Sequence, residues 1–592
     1  MKRRLFALAL ALLLAVSLPV SALAATWYLE DGDITIRATE SGQTVSQGDK
    51  HDVKDDDTTI TQRNSETATD KTIKIETTGG ATADVTIENV NISSGGDAID
   101  VGSSSANITL KGKNKLFSES KSALHVSSGD VTIDGDGSLE AGSENEDNNH
   151  AAIGSHAEEG MSGDITIGGS AKVTAVSRDD GAGIGSGDMG KMSGDITIGD
   201  NAQVTAWSET GGAGIGSGRE SDVSGTITIG GNAQVTAGSN SETAGIGSGN
   251  NGSITSTGRI IIRDSAKVTA IGEDEGAGIG TGEDELMAGM IIIQDNAQVT
   301  AIAGDRAAAI GSDNRNEMTG TIFIIGNARV TTGILDNDAV DFDYNTKEII
   351  YTLDENAIGY IGDSKYSNHE SDYGHYVIGP DVTINGISGS DIEALKDYIN
   401  MRLSGENHDG EPENLTRLDI RIENGEFTVS ASGEGTVEKI LYGGSETVPT
   451  APGTYPVTCV VRLGNGTTLE FQIGTFIVPE PPAEAAQPAP VYHVTDKDGN
   501  QISYTAAREG GVLTIRVDAA YARLTLTADE AQALTAQGVE KVVFITTGAT
   551  SAFRPADLTA YASEAPFVLT HDGETVTFTA GKTDLASLLL QA

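Results

Sequence analysis

Cysteine is almost missing from this chain: 592 residues contain one, Cys459. A single thiol excludes an internal disulfide framework, and the expected place for it is a strand, as a small buried hydrophobe. Basic residues are scarce too, 38 Lys and Arg against 86 Asp and Glu, for a formal net charge of −48. That balance disfavours nucleic acid and anionic membranes as partners and favours solubility and cation binding. Beyond the first residues, no apolar run approaches the roughly 20 residues of a membrane-spanning helix.

The exception is the beginning. Lys2-Arg3-Arg4, an apolar run from Leu5 to Val20 and Ala22-Leu23-Ala24 have the order of a secretory signal peptide, residues 1–24, cut after Ala24. Losing its three basic residues takes the formal charge from −48 to −51. No cysteine follows the cut to take a lipid, and no Leu-Pro-x-Thr-Gly sorting signal stands near the C-terminus. The mature chain is therefore expected outside the cell, secreted or associated with a bacterial wall, without membrane insertion.

What the chain has in abundance is repetition. The isoleucines of A-x-I-G-S fall at Ile153, Ile184, Ile215, Ile246, Ile279 and Ile310, in steps of 31, 31, 31, 33 and 31. The same clock carries Ile167, Ile198, Ile229, Ile262, Ile293 and Ile324, and also Val173, Val204, Val235, Val268, Val299 and Val330. A fixed period of this size marks a solenoid, whose repeats bury their faces against their neighbours. Within a repeat the runs alternate, as in Ile165-Thr166-Ile167 and Ala171-Lys172-Val173-Thr174-Ala175, and Gly, Asn and Asp separate them. Period-two alternation means strands, about three per coil. Earlier turns, at Val131/Ile133, Ile108/Leu110 and Val85/Ile87, keep a shorter period of 23. After Val330 the period stops.

Ser170, Asn201, Asn232, Ser265, Asn296 and Asn327 form a polar row beside the Val column, where stacked amides can bond along the axis. This row resembles the asparagine ladder of right-handed parallel β-helix proteins related to pectate lyases, over roughly residues 80–335. The resemblance implies a mainly β fold, a right-handed parallel β-helix of three strands per coil. The catalytic members carry Asp for calcium with an arginine base, or Asp pairs with Gly-His-Gly. No such set stands on the outward strand positions, where Thr166, Thr197, Thr228, Ile261, Ile292 and Phe323 give way to Lys172, Gln203, Gln234, Lys267, Gln298 and Arg329.

The expected organisation is a cap over 25–80, the β-helix over 81–335, an aromatic-rich transition with a helix over 336–405, a β domain over 406–478, a Pro-rich linker over 479–490 and a small α+β domain over 491–592. Pro449-Thr450-Ala451-Pro452-Gly453-Thr454-Tyr455 resembles the corner of bacterial immunoglobulin-like surface modules, implying an Ig-like β-sandwich that serves as a spacer. In the last domain Thr527-Ala528-Asp529-Glu530 opens an amphipathic helix to Gln537, and Val542 to Ile545 is a buried strand.

Four features bear on ligands. Gly95-Gly96-Asp97-Ala98-Ile99-Asp100 resembles the G-G-D-x-I-D turn of clostridial calcium-dependent carbohydrate-binding β-helix proteins. Calcium is thus an expected cofactor at Asp97 and Asp100, with Asp134 and Asp136 one coil on, or Asp179 and Asp180, adding oxygens. Trp207 follows an inward Ala and points outward, beside Gln203 and Gln234, as a platform for a sugar ring or as a residue packed under a loop. The Gly residues around Ile184, Ile215 and Ile246 give a face of nearly bare backbone, set by geometry or open to a flat ligand. His369 to His375 is weakly suited to a transition metal and better suited to a polar loop. The repetitive surface fits a non-catalytic glycan binder or adhesin-like protein, with extracellular polysaccharide or cell-surface glycan as partner. A β-helix lyase or hydrolase and a purely structural stalk are the alternatives.

Overall fold

The structure, a computed structural model, describes residues 25–590 except 144, 284–285, 313–317, 355–356, 358, 363–373, 396–397, 400–414, 424–425, 434–435, 463–467, 479–491, 562–564 and 574. The expected signal peptide at 1–24, most of His369 to His375 and the expected Pro-rich linker at 479–490 lie outside the described residues. Two compact units divide the chain, 1–478 and 479–592.

In the first unit each turn of chain lays one strand on each of three sheets, and the next turn stacks on it in parallel. Ile165–Ile167 lies in the first sheet, Lys172–Ser177 in the second and Ile184–Gly185 in the third. Returning to the same sheet once per turn is compatible with a parallel β-helix. The register follows the sequence period. Ile167 pairs with Ile198, Ile198 with Ile229, and so on to Ile324. Every member of that column is buried, and each buried isoleucine is worth about 1.5–3 kcal/mol over an exposed one. The Val173 and Ile184 columns stack the same way. Exposed amides bridge coils where the polar row places them, Asn232 donating to Asn201 at 3.2 Å and Asn327 to Asn296 at 3.3 Å.

A fourth column keeps the same steps of 31, 31, 31, 33 and 31, with mixed residue types. Met161, Met192, Val223, Ile254, Met287 and Met318 bridge in succession and are fully buried. They belong to the longer loop after the third strand, and they join the same core as the Ile167, Val173 and Ile184 columns. Many acids are turn acceptors rather than free charges. Asp130, Asp164 and Asp195 each take the backbone N–H of the next coil, from Asp164, Asp195 and Thr226 at 3.1, 2.8 and 2.7 Å.

The stacking runs past both ends of the sequence period. Thr26–Tyr28, Thr58–Thr61 and Ile73–Thr77 extend the sheets at the front, finished by the antiparallel strands Gly42–Gln47 and Lys50–Lys54. At the back, Ile361 pairs with Ile310, Ile378 with Ile324 and Ile384 with Val330. The period is hidden there because an antiparallel hairpin, Arg329–Asp343 with Glu348–Leu353, interrupts that coil. Leu415–Glu423 then continues the first sheet, in parallel with His375–Ile378.

Thr436–Tyr442, Gly453–Arg462 and Thr468–Val478 make a three-stranded antiparallel sheet. Its Cys459 and Val461 cluster with Ile292, Phe323, Ile325 and Val377 of the solenoid. The change from outward Thr166, Thr197 and Thr228 to outward Ile261, Ile292 and Phe323 therefore marks a covered face. Cys459 is buried, as expected, and burial pushes its thiol up to about 12, so it is a packing residue.

The second unit is built on its own core, with a five-stranded and a four-stranded sheet. Its helix Ala528–Ala536 begins on a capping box: Thr527 Oγ1 accepts from the Glu530 N–H, and Glu530 accepts from the Thr527 N–H. Lys541–Ile545 is a strand with Val542 and Phe544 buried.

Candidate functional sites

The outward residues of the second sheet form the floor of an open groove of about 790 Å³. Gln203, Gln234, Lys267, Gln298 and Arg329 make one row, and Thr205, Thr236, Thr269, Thr300 and Thr331 a second. Glu348, Ile349 and Tyr351, from the returning strand of the hairpin, form a wall. Five coils at about 4.8 Å per coil make the floor about 19 Å long. The hairpin is anchored at its far end, where Tyr344 donates to Glu209 at 2.9 Å and Arg178 lies 4.4 Å over the Tyr344 ring.

This hairpin decides the fate of Trp207. The indole does point away from the solenoid core, but it is 1% exposed. It packs with Phe342, ring centroids 6.2 Å apart, and with Ile349 of the hairpin. Val176, Ile271 and Ile302 join the same cluster, so the apolar strip beside Trp207 is the seat of the hairpin. Trp207 is therefore not an exposed sugar platform. Gln203 and Gln234 do line the groove, and the aromatic available there is Tyr351, 37% exposed.

The glycine face is closed. Gly216 has φ +141°, and a Cβ on it would stand 1.8 Å from the Gly247 carbonyl oxygen. Gly185, Gly247 and Gly280 repeat the arrangement. Backbone geometry thus requires glycine here, and the face is buried rather than open to a flat ligand.

The carboxylates expected to act together are separated. Asp134, in the first-sheet strand Val131–Gly135, and Asp136, in the turn that follows it, are exposed. Asp97 and Asp100 flank the start of the third-sheet strand Ile99–Gly102. Asp179 accepts from Thr210 at 2.9 Å, and Asp180 pairs with Arg219 at 3.1 Å. What gathers around Asp97 and Asp100 instead is histidine. His125 Nδ1 meets Asp100 Oδ1 at 2.9 Å and its Nε2 meets Glu159 Oε2 at 2.9 Å. His156 Nε2 meets Asp97 Oδ1 at 2.7 Å, and its Nδ1 lies 3.4 Å from Glu159 Oε2. The two imidazoles stack with centroids 3.7 Å apart.

Burial opposes a charge on His125, but its bonds to Asp100 and Glu159 and the charge of Asp97 outweigh it and raise its pKa. Asp100 is held low, first by its bond from His125. His150 stands edge-on to His156 and is pushed down to about 4, chiefly by burial and then by His156 and Lys121. It is neutral, and its Nδ1 accepts the Ala157 N–H at 2.8 Å.

Sequence reasoning passed over these histidines, although the repeat marks them. His125 occupies the register position held by Gly154, Gly185, Gly216, Gly247, Gly280 and Gly311 in later coils. His156 follows Ser155 where Gly187, Gly218 and Gly249 follow Ser186, Ser217 and Ser248. A register irregularity between His125 and Val126 accommodates the side chain at the first of these positions. Among the described residues no helix is long and apolar enough to cross a membrane. Comparison with family models, with curated proteins and with solved structures gave no match, so the chain's own residues carry the functional reading.

Proposed function

We propose that this chain is a secreted or cell-surface glycan-binding protein of adhesin type, non-catalytic, whose binding surface is the groove over the second sheet. The observation that carries this reading is the repeated floor: Gln, Lys or Arg beside Thr, once per coil, under an exposed Tyr351. Amides, hydroxyls and cations at one-coil spacing offer a row of similar subsites, which suits a polymer of repeating polyhydroxylated units. An aromatic ring at the rim suits the apolar face of a sugar. In this reading the solenoid is a right-handed β-helix of the pectate-lyase-like kind, and residues 406–478 are an Ig-like spacer. Export is by the signal peptide at 1–24.

The test is a glycan array on the mature protein, repeated with Gln234→Ala and Tyr351→Ala. Binding that falls in both variants while the melting temperature holds supports the groove. Release of shortened or unsaturated sugars from a bound polysaccharide would replace this reading with a β-helix hydrolase or lyase. Binding that survives only in a fragment beginning after the linker would make the solenoid a stalk.

A further inference from the structure

The solenoid is regular enough that a departure from the repeat carries information. Along the third-sheet corner, later coils place glycine wherever a side chain would strike the neighbouring backbone. The early coils place His125 and His156 there, and the coil before them supplies Asp97. Three coils thus converge on one point. A ligand atom from each of Asp97, His125 and His156 lies within 4.8 Å of the others, and the three side chains are buried or half-buried.

The environment is anionic. Asp97, Asp100 and Glu159 stand in direct contact with the two imidazoles. The cations felt there, Lys74 and Lys121, make no ion pair with these carboxylates at up to 4.0 Å, so the groups that touch the rings are carboxylates. Hydrogen bonds now hold the rings between carboxylates. Those protons occupy the lone pairs that a cation would take, so metal binding displaces them into solvent. The nitrogens that face Asp97 are His125 Nδ1 and His156 Nε2. Glu159 remains as partner for the other two, His125 Nε2 at 2.9 Å and His156 Nδ1 at 3.4 Å, the arrangement that fixes tautomer and orientation in metal-binding histidines.

Donor chemistry selects the ion. Calcium takes six to eight oxygens and has little use for imidazole. Two imidazole nitrogens with carboxylate oxygen suit a borderline divalent ion of the zinc class. We propose that Asp97, His125 and His156 form a binding site for such a transition-metal ion, in place of the calcium that the carboxylates alone suggest. The site lies on the third-sheet corner, while the proposed glycan groove lies on the second sheet, so the two readings stand or fall separately.

The experiment is calorimetric titration of the mature full-length protein with zinc chloride, and separately with calcium chloride, in a non-chelating buffer. Saturable zinc binding at one equivalent is expected. Two variants restore the residue that later coils carry, His125→Gly and His156→Gly, and a third, His156→Gln, keeps a side chain that can bond to Asp97. Each should weaken zinc by at least the 10–100-fold that loss of an outer partner alone costs. Cobalt(II) substitution gives a second readout, since d–d absorption of a bound nitrogen–oxygen site should vanish in the variants. Circular dichroism shows whether each variant is folded, and a misfolded one is replaced in the comparison by His156→Gln. Zinc affinity unchanged in folded variants, no zinc binding at all, or stronger binding of calcium than zinc would each overturn the proposal.

Discussion

The imidazole of His125 lies face to face with that of His156, 3.7 Å between centroids and 8° from parallel. The rings come from successive coils, but the register partner of His125 is Gly154, so the stack is made by the side chains and not by the strand ladder. Two stacked imidazoles repel when both are charged, and here Asp97, Asp100 and Glu159 offset that. The contrast with the closed glycine corner of the following coils is what makes this end of the solenoid chemically distinct.

The glycine corner gives the first prediction. Gly216→Ala adds a Cβ 1.8 Å from the Gly247 carbonyl oxygen at a φ of +141°. Either the backbone moves or the inter-coil bond breaks, costing of order 1–3 kcal/mol for the strain alone. Gly199→Ala is the matched control, because a Cβ there meets nothing within 4 Å. Urea unfolding of both should separate them clearly. Equal midpoints would mean that the corner is looser than the geometry shows.

The isoleucine column gives the second. Ile229 is fully buried between Ile198 and Ile262, with no polar group offered to it by the column. Ile229→Asp places a carboxylate there with nothing to pair with, a change in the exceptional class above about 4 kcal/mol. In a solenoid the loss should spread to neighbouring coils first. Hydrogen exchange of coils 165–300 should rise together, while the 492–590 unit keeps its protection. A variant with wild-type exchange in these coils would contradict the packing.

How much of this was readable beforehand depends on the kind of contact. The Ile167 and Val173 columns and the Asn201–Asn232 bridge repeat with the chain, so period alone placed them. The cover over Trp207 comes from Phe342 and Ile349, more than 130 residues on and outside the period, and no local pattern announces it. The outward apolar strip from Val176 to Ile302 was a visible sign of something packed there, without saying what. The Met161 column was overlooked because its positions sit in loops of unequal composition. Asp97 and Asp100 stood out in the sequence as carboxylates alone, and as such they suggested calcium. Aligning the coils shows His125 and His156 at glycine positions, and that substitution was in the sequence all along.

Trp207 and Tyr351 should therefore behave oppositely. Trp207→Ala empties the seat of the hairpin, a loss in the range of about 3–5 kcal/mol for a large buried aromatic. Tyr351→Ala removes a partly exposed ring from the groove wall and should change stability by less than about 1 kcal/mol. Thermal melts check the first statement, and binding on the glycan array checks whether Tyr351 touches the ligand. If Trp207→Ala melts like the parent, the hairpin is not held by this cluster.

The last prediction concerns pH at a different corner. Glu242 and Glu283 lie close enough to share a proton, and Asn250 Nδ2 donates to both, at 3.1 and 3.2 Å. The hydrogen bond with Glu283, then burial and the Glu283 charge, push Glu242 from its ordinary 4.5 up to about 7. A folded pKa above the unfolded one means that the folded loop holds the proton more tightly. Its contribution to stability is complete below about 4.5 and is lost as pH rises through about 7. Glu242 also sits at φ +59°, a strained setting for a non-glycine residue, so the loop has little to spare when both carboxylates ionise. Limited proteolysis over 240–251 should accelerate between pH 5 and pH 8. Glu283→Gln removes one charge and supplies a permanent donor, and should flatten that profile. An unchanged pH dependence in the variant would place the titrating group elsewhere.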